Sequence, residues 1–305
     1  MFNMDNIKIF NENDIKSFSS YFSYKDLLNV YTLYDKGITG KNLVCSIIDT
    51  GCDFNHPMLK DKIIGGRNFT NEGRNENDFY DLNGHGTHVA GLVSSDPCGV
   101  FNGGIAPDSK LLICKALDRN GSGDFYEIIN AINYSIDNNV NVINMSLGGP
   151  VDLPQLYQAV KRAHDKGIII CCASGNEAYG DGGHIDEHCY PGAYQEVIEV
   201  GAINKNKIPS YFSNSNNMVD CVCYGEDILS TFLNNSYVSL SGTSQATPLV
   251  AGSVLLLKEW FMREFNRMPS SDEIYATLIK CSKSMNNYNK KQVGFGYIDF
   301  KELED

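Results

Sequence analysis

The sequence predicts an α/β fold, a single three-layer domain in which a mainly parallel sheet is covered by helices on both faces. Three observations predict it. Short β-branched runs at 43–48, 111–116, 140–145, 167–173 and 197–203 alternate with longer helix-compatible stretches at 85–95, 124–137, 153–166 and 244–261. Strands followed by helices of that length favour parallel pairing through crossovers. The runs at 140–145 and 167–173 are nearly all apolar, as strands covered on both sides must be. No low-complexity linker, charge block or internal repeat divides the chain. One domain over 19–305 is therefore expected, after an N-terminal segment at 1–18.

Taken in order, these elements end where chemistry can be presented. The first strand, L-V-C-S-I-I at 43–48, delivers Asp49 at its carboxyl end. Loops and helix N-termini meet beyond the carboxyl ends of parallel strands, and reactive groups gather there. The helix over 85–95 follows Gly84 and contains Gly86, which let the backbone turn tightly into it. The strand over 111–116 leads through G-S-G-D-F at 121–125 into the helix over 124–137. The strand over 140–145 delivers Ser146, Leu147, Gly148 and Gly149; that over 167–173 delivers Ser174, Gly175 and Asn176. The last helix begins at Ser244, and Pro248, lacking an N–H, fits only near its first turn.

Composition excludes several classes of function. A formal net charge of −12 repels phosphate backbones and anionic lipid surfaces, so neither nucleic acid nor a membrane is an expected partner. No apolar run approaches the roughly 18 residues that cross a bilayer. The N-terminus, M-F-N-M-D-N-I-K-I-F, lacks the basic start and apolar stretch of an export signal. The ten cysteines sit in a chain far larger than a disulfide-stapled mini-domain, and Cys45, Cys114, Cys171 and Cys172 fall in strand-like runs; they are read as reduced core residues. Cys221 and Cys223 form C-x-C with no matching histidine pair, so packing rather than zinc is expected. Together these features point to the cytoplasm.

Three segments each hold one part of a nucleophilic catalyst: S-I-I-D-T-G at 46–51, N-G-H-G-T-H-V-A-G at 83–91 and S-G-T-S-Q-A-T-P at 241–248. A serine hydroxyl is a poor nucleophile at neutral pH and needs a base within hydrogen-bond reach, a task that an imidazole suits. Ser244 is the expected nucleophile and His85 its base, with Asp49 orienting the ring and stabilising the imidazolium. The order Asp, His, Ser excludes the α/β-hydrolase order, in which serine comes first, and the chymotrypsin order, in which histidine does. His88 competes for the place of the base. The two histidines lie at spacing three without the glutamate of H-E-x-x-H, which argues against zinc, and no metal ligand is assigned.

With N-M-S-L-G-G at 144–149 and A-S-G-N-E at 173–177, these motifs make the chain resemble the subtilisins from about Tyr34 through Phe300. Through D-T-G-C-D, I-I-G-G-R-N-F-T and S-L-G-G-P it is most similar to the intracellular members. The resemblance implies a serine endopeptidase acting on peptides or proteins, with His88 packed in the helix interior. It implies an oxyanion hole of the Asn176 side chain, the Ser244 N–H and the Thr243 hydroxyl. Ser146, Leu147, Gly148 and Gly149 would form a strand edge for substrate backbone, with Gly121, Ser122, Gly123 and Phe125 on the other rim. Phe125 and Ile128 would line the fourth pocket before the scissile bond, and Leu117 would border the second. The first would lie between residues 147–149 and Ala173, Ser174 and Gly175. Glu177 stands at its rim, where a charge favours a basic residue only weakly, and Cys189 near its base narrows it.

Three functions stay open on these grounds: a general protease, a protease dedicated to one precursor, and a peptide-binding pseudoprotease, which the complete triad argues against. The resemblance also implies an N-terminal extension across the active site. I-K-I-F at 7–10 is expected to add a strand at the cleft and inhibit weakly, without the proline of the family's blocking motif. No cofactor is required. The family's tight calcium site is expected to be lost, because Met58 and Cys98 stand where its aspartate and asparagine belong and calcium does not favour sulfur. Asp96 is the nearby replacement carboxylate. A weaker calcium or sodium site of carbonyls near Gly192, Tyr194 and Val197, and a homodimer, are compatible with the resemblance.

Overall fold

β-Branched and cysteine-rich runs supply strands that can be buried on both sides. The computed structural model describes residues 8–17, 21–178, 180 and 182–303. Among these, nine strands form one sheet: β2 (Val44–Asp49), β3 (Ile63–Asn68), β4 (Lys110–Lys115), β5 (Val142–Met145), β6 (Ile169–Ala173), β7 (Val197–Ile203), β8 (Val219–Tyr224), β11 (Ser282–Lys283) and β12 (Tyr297–Ile298). Their order is β11-β12-β8-β7-β6-β5-β2-β4-β3. All neighbours run parallel except β11 against β12. A second, antiparallel sheet holds β1 (Ile9–Asn11), β10 (Ser236–Leu240) and β9 (Ile228–Phe232) in that order.

The helices are α1 (Glu12–Ser17), α2 (Tyr24–Leu27), α3 (Tyr31–Tyr34), α4 (His85–Ser94), α5 (Phe125–Asp137), α6 (Pro154–Asp165), α7 (Thr243–Phe265), α8 (Ser271–Lys280) and α9 (Lys290–Val293). Successive side chains on a strand point to opposite faces, and the two cores divide accordingly. Ile47 and Cys171 pack with Val89, Leu92 and Val250 from α4 and α7. Ile48 and Cys172 pack with Ile128, Ile132, Leu156 and Val160 from α5 and α6. The result is the expected three-layer fold. All ten cysteines are unbonded and buried, and Cys221 and Cys223 lie on β8 in the first core. No described helix is long and apolar enough to cross a membrane.

Two expectations are corrected. Pro248 sits beyond the first turn of α7, with a consequence described below. The strand added by the N-terminal segment is not at the cleft: β1 pairs with β10, Ile9 opposite Val238 and Phe10 opposite Tyr237. The reason is apolar burial, since Phe10 and Ile15 pack with Cys98, Phe101, Leu229 and Tyr237. Of I-K-I-F, Ile7 lies outside the described residues.

Candidate active site

β2 ends on Asp49, which is fully buried beneath the sheet's carboxyl edge. Its Oδ1 accepts the Thr50 N–H at 2.7 Å and lies 2.8 Å from His85 Nδ1. α4 can begin at His85 because Gly84 holds φ at +102°, and a Cβ there would strike the Phe232 ring. Such a backbone favours glycine.

Asp81 locks this corner. Its Oδ1 accepts the Thr50 hydroxyl at 2.9 Å and the N–H groups of Asn83 and Gly84, each at 2.9 Å. Its Oδ2 accepts the Thr87 N–H at 2.9 Å and the Thr87 hydroxyl at 2.7 Å. Five donors converge on this buried carboxyl group and cap the first turn of α4. The sequence signals Asp81 only as an aspartate just ahead of a helix start, a signal shared with every ordinary cap.

Two forces act on His85. Burial disfavours its charged form, whereas the Asp49 carboxylate, its hydrogen bond and the more distant Asp81 favour it; the net shift is upward. His88 faces the opposite way. Its Nε2 lies 3.0 Å from the Ile228 carbonyl and 3.2 Å from that of Val238, and burial takes it down to about 3. It is a neutral packing residue.

α7 brings Ser244 to the same place. Pro248 has no N–H for the Ser244 carbonyl four residues earlier, and the Ser146 hydroxyl donates to that carbonyl at 2.8 Å instead. In return the Ser244 hydroxyl donates to the Ser146 carbonyl at 3.1 Å. This reciprocal pair ties the end of β5 to the start of α7. The Ser244 N–H lies in the first turn, where helical donors have no intrahelical partner.

Asn176 Oδ1 accepts the Thr243 N–H at 2.8 Å and the Thr243 hydroxyl at 3.1 Å, which leaves its Nδ2 as the donor available to a ligand. The Thr243 hydroxyl also faces the Gly175 carbonyl at 3.3 Å. Thr243 therefore differs from its expected part: its hydroxyl proton is engaged in holding Asn176 and the Gly175 backbone, so it orients a donor rather than being one.

His85, Asn176, Thr243 and Ser244 line one open cavity of about 450 Å³, shared with Leu117, Gly121, Ser122, Gly123, Phe125, Ile128, Ser146, Leu147, Gly148, Gly149, Ala173, Gly175, Glu177 and Cys189. Two expected residues fall differently. Ser174 is buried, turning its hydroxyl to the Asn214 carbonyl at 3.4 Å. Gly149 is no open edge, because its N–H and carbonyl pair with Tyr190 at 2.9 and 2.8 Å. The open edge expected at residues 146–149 is correspondingly shorter. Glu177 accepts the Asn176 N–H and an Asn214 amide hydrogen, both at 2.9 Å.

Among the described residues no group of three or more His, Cys, Asp or Glu side chains could hold a metal ion. The arrangement suits proton transfer from a hydroxyl, beside donors for developing negative charge.

The model of the subtilase family matches residues 40–297. The chain is 47% identical over 269 residues to an intracellular serine protease of Paenibacillus polymyxa, covering 87% of this chain and 81% of that protein. It is 46% identical over 250 residues to the major intracellular serine protease of Bacillus subtilis (strain 168), covering 81% and 78%. Subtilisin E of the same bacterium is 39% identical over 227 residues, covering 74% of this chain and 58% of that protein.

Proposed function

We propose that this chain, which belongs to the subtilase family and is a serine protease, cuts peptide bonds through an acyl-enzyme formed on Ser244. The observation that carries the reading is the 2.8 Å contact of Asp49 with His85 behind a cavity lined by both His85 and Ser244. The Ser244 hydroxyl attacks the scissile carbonyl and passes its proton to His85 Nε2. Asp49 holds Nδ1 as N–H and stabilises the imidazolium. The tetrahedral oxyanion is met by Asn176 Nδ2 and the Ser244 N–H, and losing the side-chain donor costs about 3–4 kcal/mol of transition-state stabilisation. His85 then protonates the leaving amine, and water repeats the sequence to free the acid.

Substrate backbone lies along residues 146–148 on one side and 121–123 on the other, with Phe125, Ile128 and Leu117 supplying apolar pockets. The two named intracellular relatives support action in the cytoplasm on peptides and proteins. The test is a fluorophosphonate probe with casein hydrolysis alongside. Ser244 alone should be labelled, and Ser244→Ala, His85→Ala and Asp49→Asn should each remove nearly all hydrolysis, with losses that do not add in double variants. Labelling at another serine, or undiminished hydrolysis by Ser244→Ala, rejects the assignment.

A further inference from the structure

Behind the floor of the cleft lies a carboxyl group that the chemistry above does not use. Glu199, on β7 beside Cys172 of β6, is fully buried. Its Oε1 is 3.2 Å from Asn216 Nδ2, while its Oε2 has no hydrogen-bond partner among the described residues. Buried polar atoms are seldom left so, and each one points to a ligand, a water or a functional use.

The position of Glu199 relates it to the first substrate pocket. A Cβ on Gly192 would meet Glu199 Cγ at 3.3 Å, the Ala173 carbonyl at 3.1 Å and the Cys189 carbonyl at 3.0 Å. Gly192 thus lies between the Glu199 side chain and the carbonyls of Ala173 and Cys189, two residues that line the cleft. Cys189 forms the floor between them: its sulfur packs on Gly148 so closely that a Cβ on that glycine would collide with it. Burial, then Glu177, then Glu199 push the Cys189 thiol up to about 12; burial pushes Glu199 itself up to about 8, so Glu177 at the rim is joined beneath the floor by an acid that takes its charge when a cation enters beside it. Among the described lining residues the cleft holds no lysine or arginine to balance them. Cysteine has one heavy atom beyond Cβ, and a single change of rotamer moves it aside.

We propose that Glu199 is the deep acid of the first substrate pocket and directs cleavage after lysine or arginine. The proposal rests on Ser244 being the nucleophile. A long basic side chain entering past Cys189 brings charged donors to Glu199 Oε2, which has no hydrogen-bond partner among the described residues. Charge-assisted hydrogen bonds of that kind, made away from water, discriminate strongly against isosteres that cannot form them. Glu177, its Oε2 already occupied by Asn176 and Asn214, adds a weaker field at the rim.

The test uses the full chain and peptides that differ only in the residue before the scissile bond: lysine, norleucine, leucine and glutamate. Lysine should exceed norleucine, its uncharged counterpart, by about tenfold or more in kcat/KM, with glutamate the poorest. Glu199→Gln should bring the lysine-to-norleucine ratio down by about tenfold, and Cys189→Gly, which opens the floor, should raise it. A ratio of one or less in the unaltered protein overturns the proposal whether or not the variants fold. So does an unchanged ratio in folded Glu199→Gln. Hydrolysis of the series by Ser244→Ala would instead reject the nucleophile assignment on which the proposal stands.

Discussion

Asp49 acts on His85 from a position without freedom, since the Thr50 N–H, the end of β2 and the Asp81 cluster fix both groups before substrate arrives. In the proposed mechanism, preorganisation of this kind makes the charge of Asp49 effective at the moment the imidazolium forms. It also sets a pH dependence. In the proposed mechanism only neutral His85 can accept the Ser244 proton, and its pKa is raised in the folded protein. Activity must therefore be complete above that pKa and fall as pH drops through it. The acid limb of kcat/KM should have its midpoint above pH 6.5, the ordinary histidine value, and the residual activity of Asp49→Asn should show a lower midpoint. A limb at or below 6.5 in the unaltered protein would contradict the arrangement. Asp81→Asn makes a second case. An amide offers one acceptor where five donors converge, so some of them lose their partner at about 1–3 kcal/mol each. Thermal melting should fall by several degrees and kcat with it, although Asp81 touches no reacting atom.

At the scale of elements, the join between β5 and α7 depends on a residue that ordinarily breaks helices. Pro248 frees the Ser244 carbonyl, and Ser146 takes it up. Ser146→Ala should cost about 1–3 kcal/mol in urea unfolding, because the carbonyl is then buried without a donor. In a Pro248→Ala background the helix supplies its own N–H, and the same serine change should cost clearly less; equal costs in the two backgrounds would show the pair to be uncoupled. Neither half of this join was legible in the sequence, since proline inside a helix reads only as a break and the partner lies 98 residues away. What was legible is the set of elements whose own pattern decides them: β2, β4, β5, β6 and β7, and α4 to α7, form within a few residues of the predicted runs. β3 carries Gly65 and Gly66 and breaks its apolar run. β8 reads V-D-C-V-C-Y, where Asp220 interrupts the apolar run and C-x-C is a spacing that strands share with metal motifs. For β1 the apolar stretch was visible, but a strand edge does not name its partner. The directions of Ser174, Gly149 and the Thr243 hydroxyl were hidden for the same reason, being settled by residues distant in the chain.

Over the whole molecule, one apolar cluster joins three segments that have little else in common. Phe10 and Ile15 of the N-terminal segment, Cys98 and Phe101 of the loop after α4, and Leu229 and Tyr237 of the β9–β10 hairpin pack together, with Met58 and Val100 against them. The Ile15 carbonyl also accepts the Val100 N–H at 3.3 Å. This is the ground on which many subtilisins hold tight calcium, and the residues here do not fit that ion. Calcium takes six to eight oxygens, with carboxylate charge setting much of its affinity. Met58 and Cys98 offer sulfur, and Asp96 is paired with Lys62 at 2.8 Å. In the weaker carbonyl site weighed from the sequence, the Tyr194 carbonyl already accepts the Val197 N–H at 3.0 Å. Stability should accordingly follow the apolar contacts of residues 8–17 and be indifferent to calcium. Removing residues 1–17 should lower the melting temperature by several degrees with no gain in rate on a short peptide. Melting of the full chain should coincide in millimolar calcium and in excess chelator. A ligand bound only by the native state at 100 times its dissociation constant adds about 2.7 kcal/mol, which in a protein of this size moves the midpoint by at least a few degrees. A rise of that order with calcium, reversed by chelator, would mean that oxygen ligands gather where the structure has sulfur and hydrocarbon.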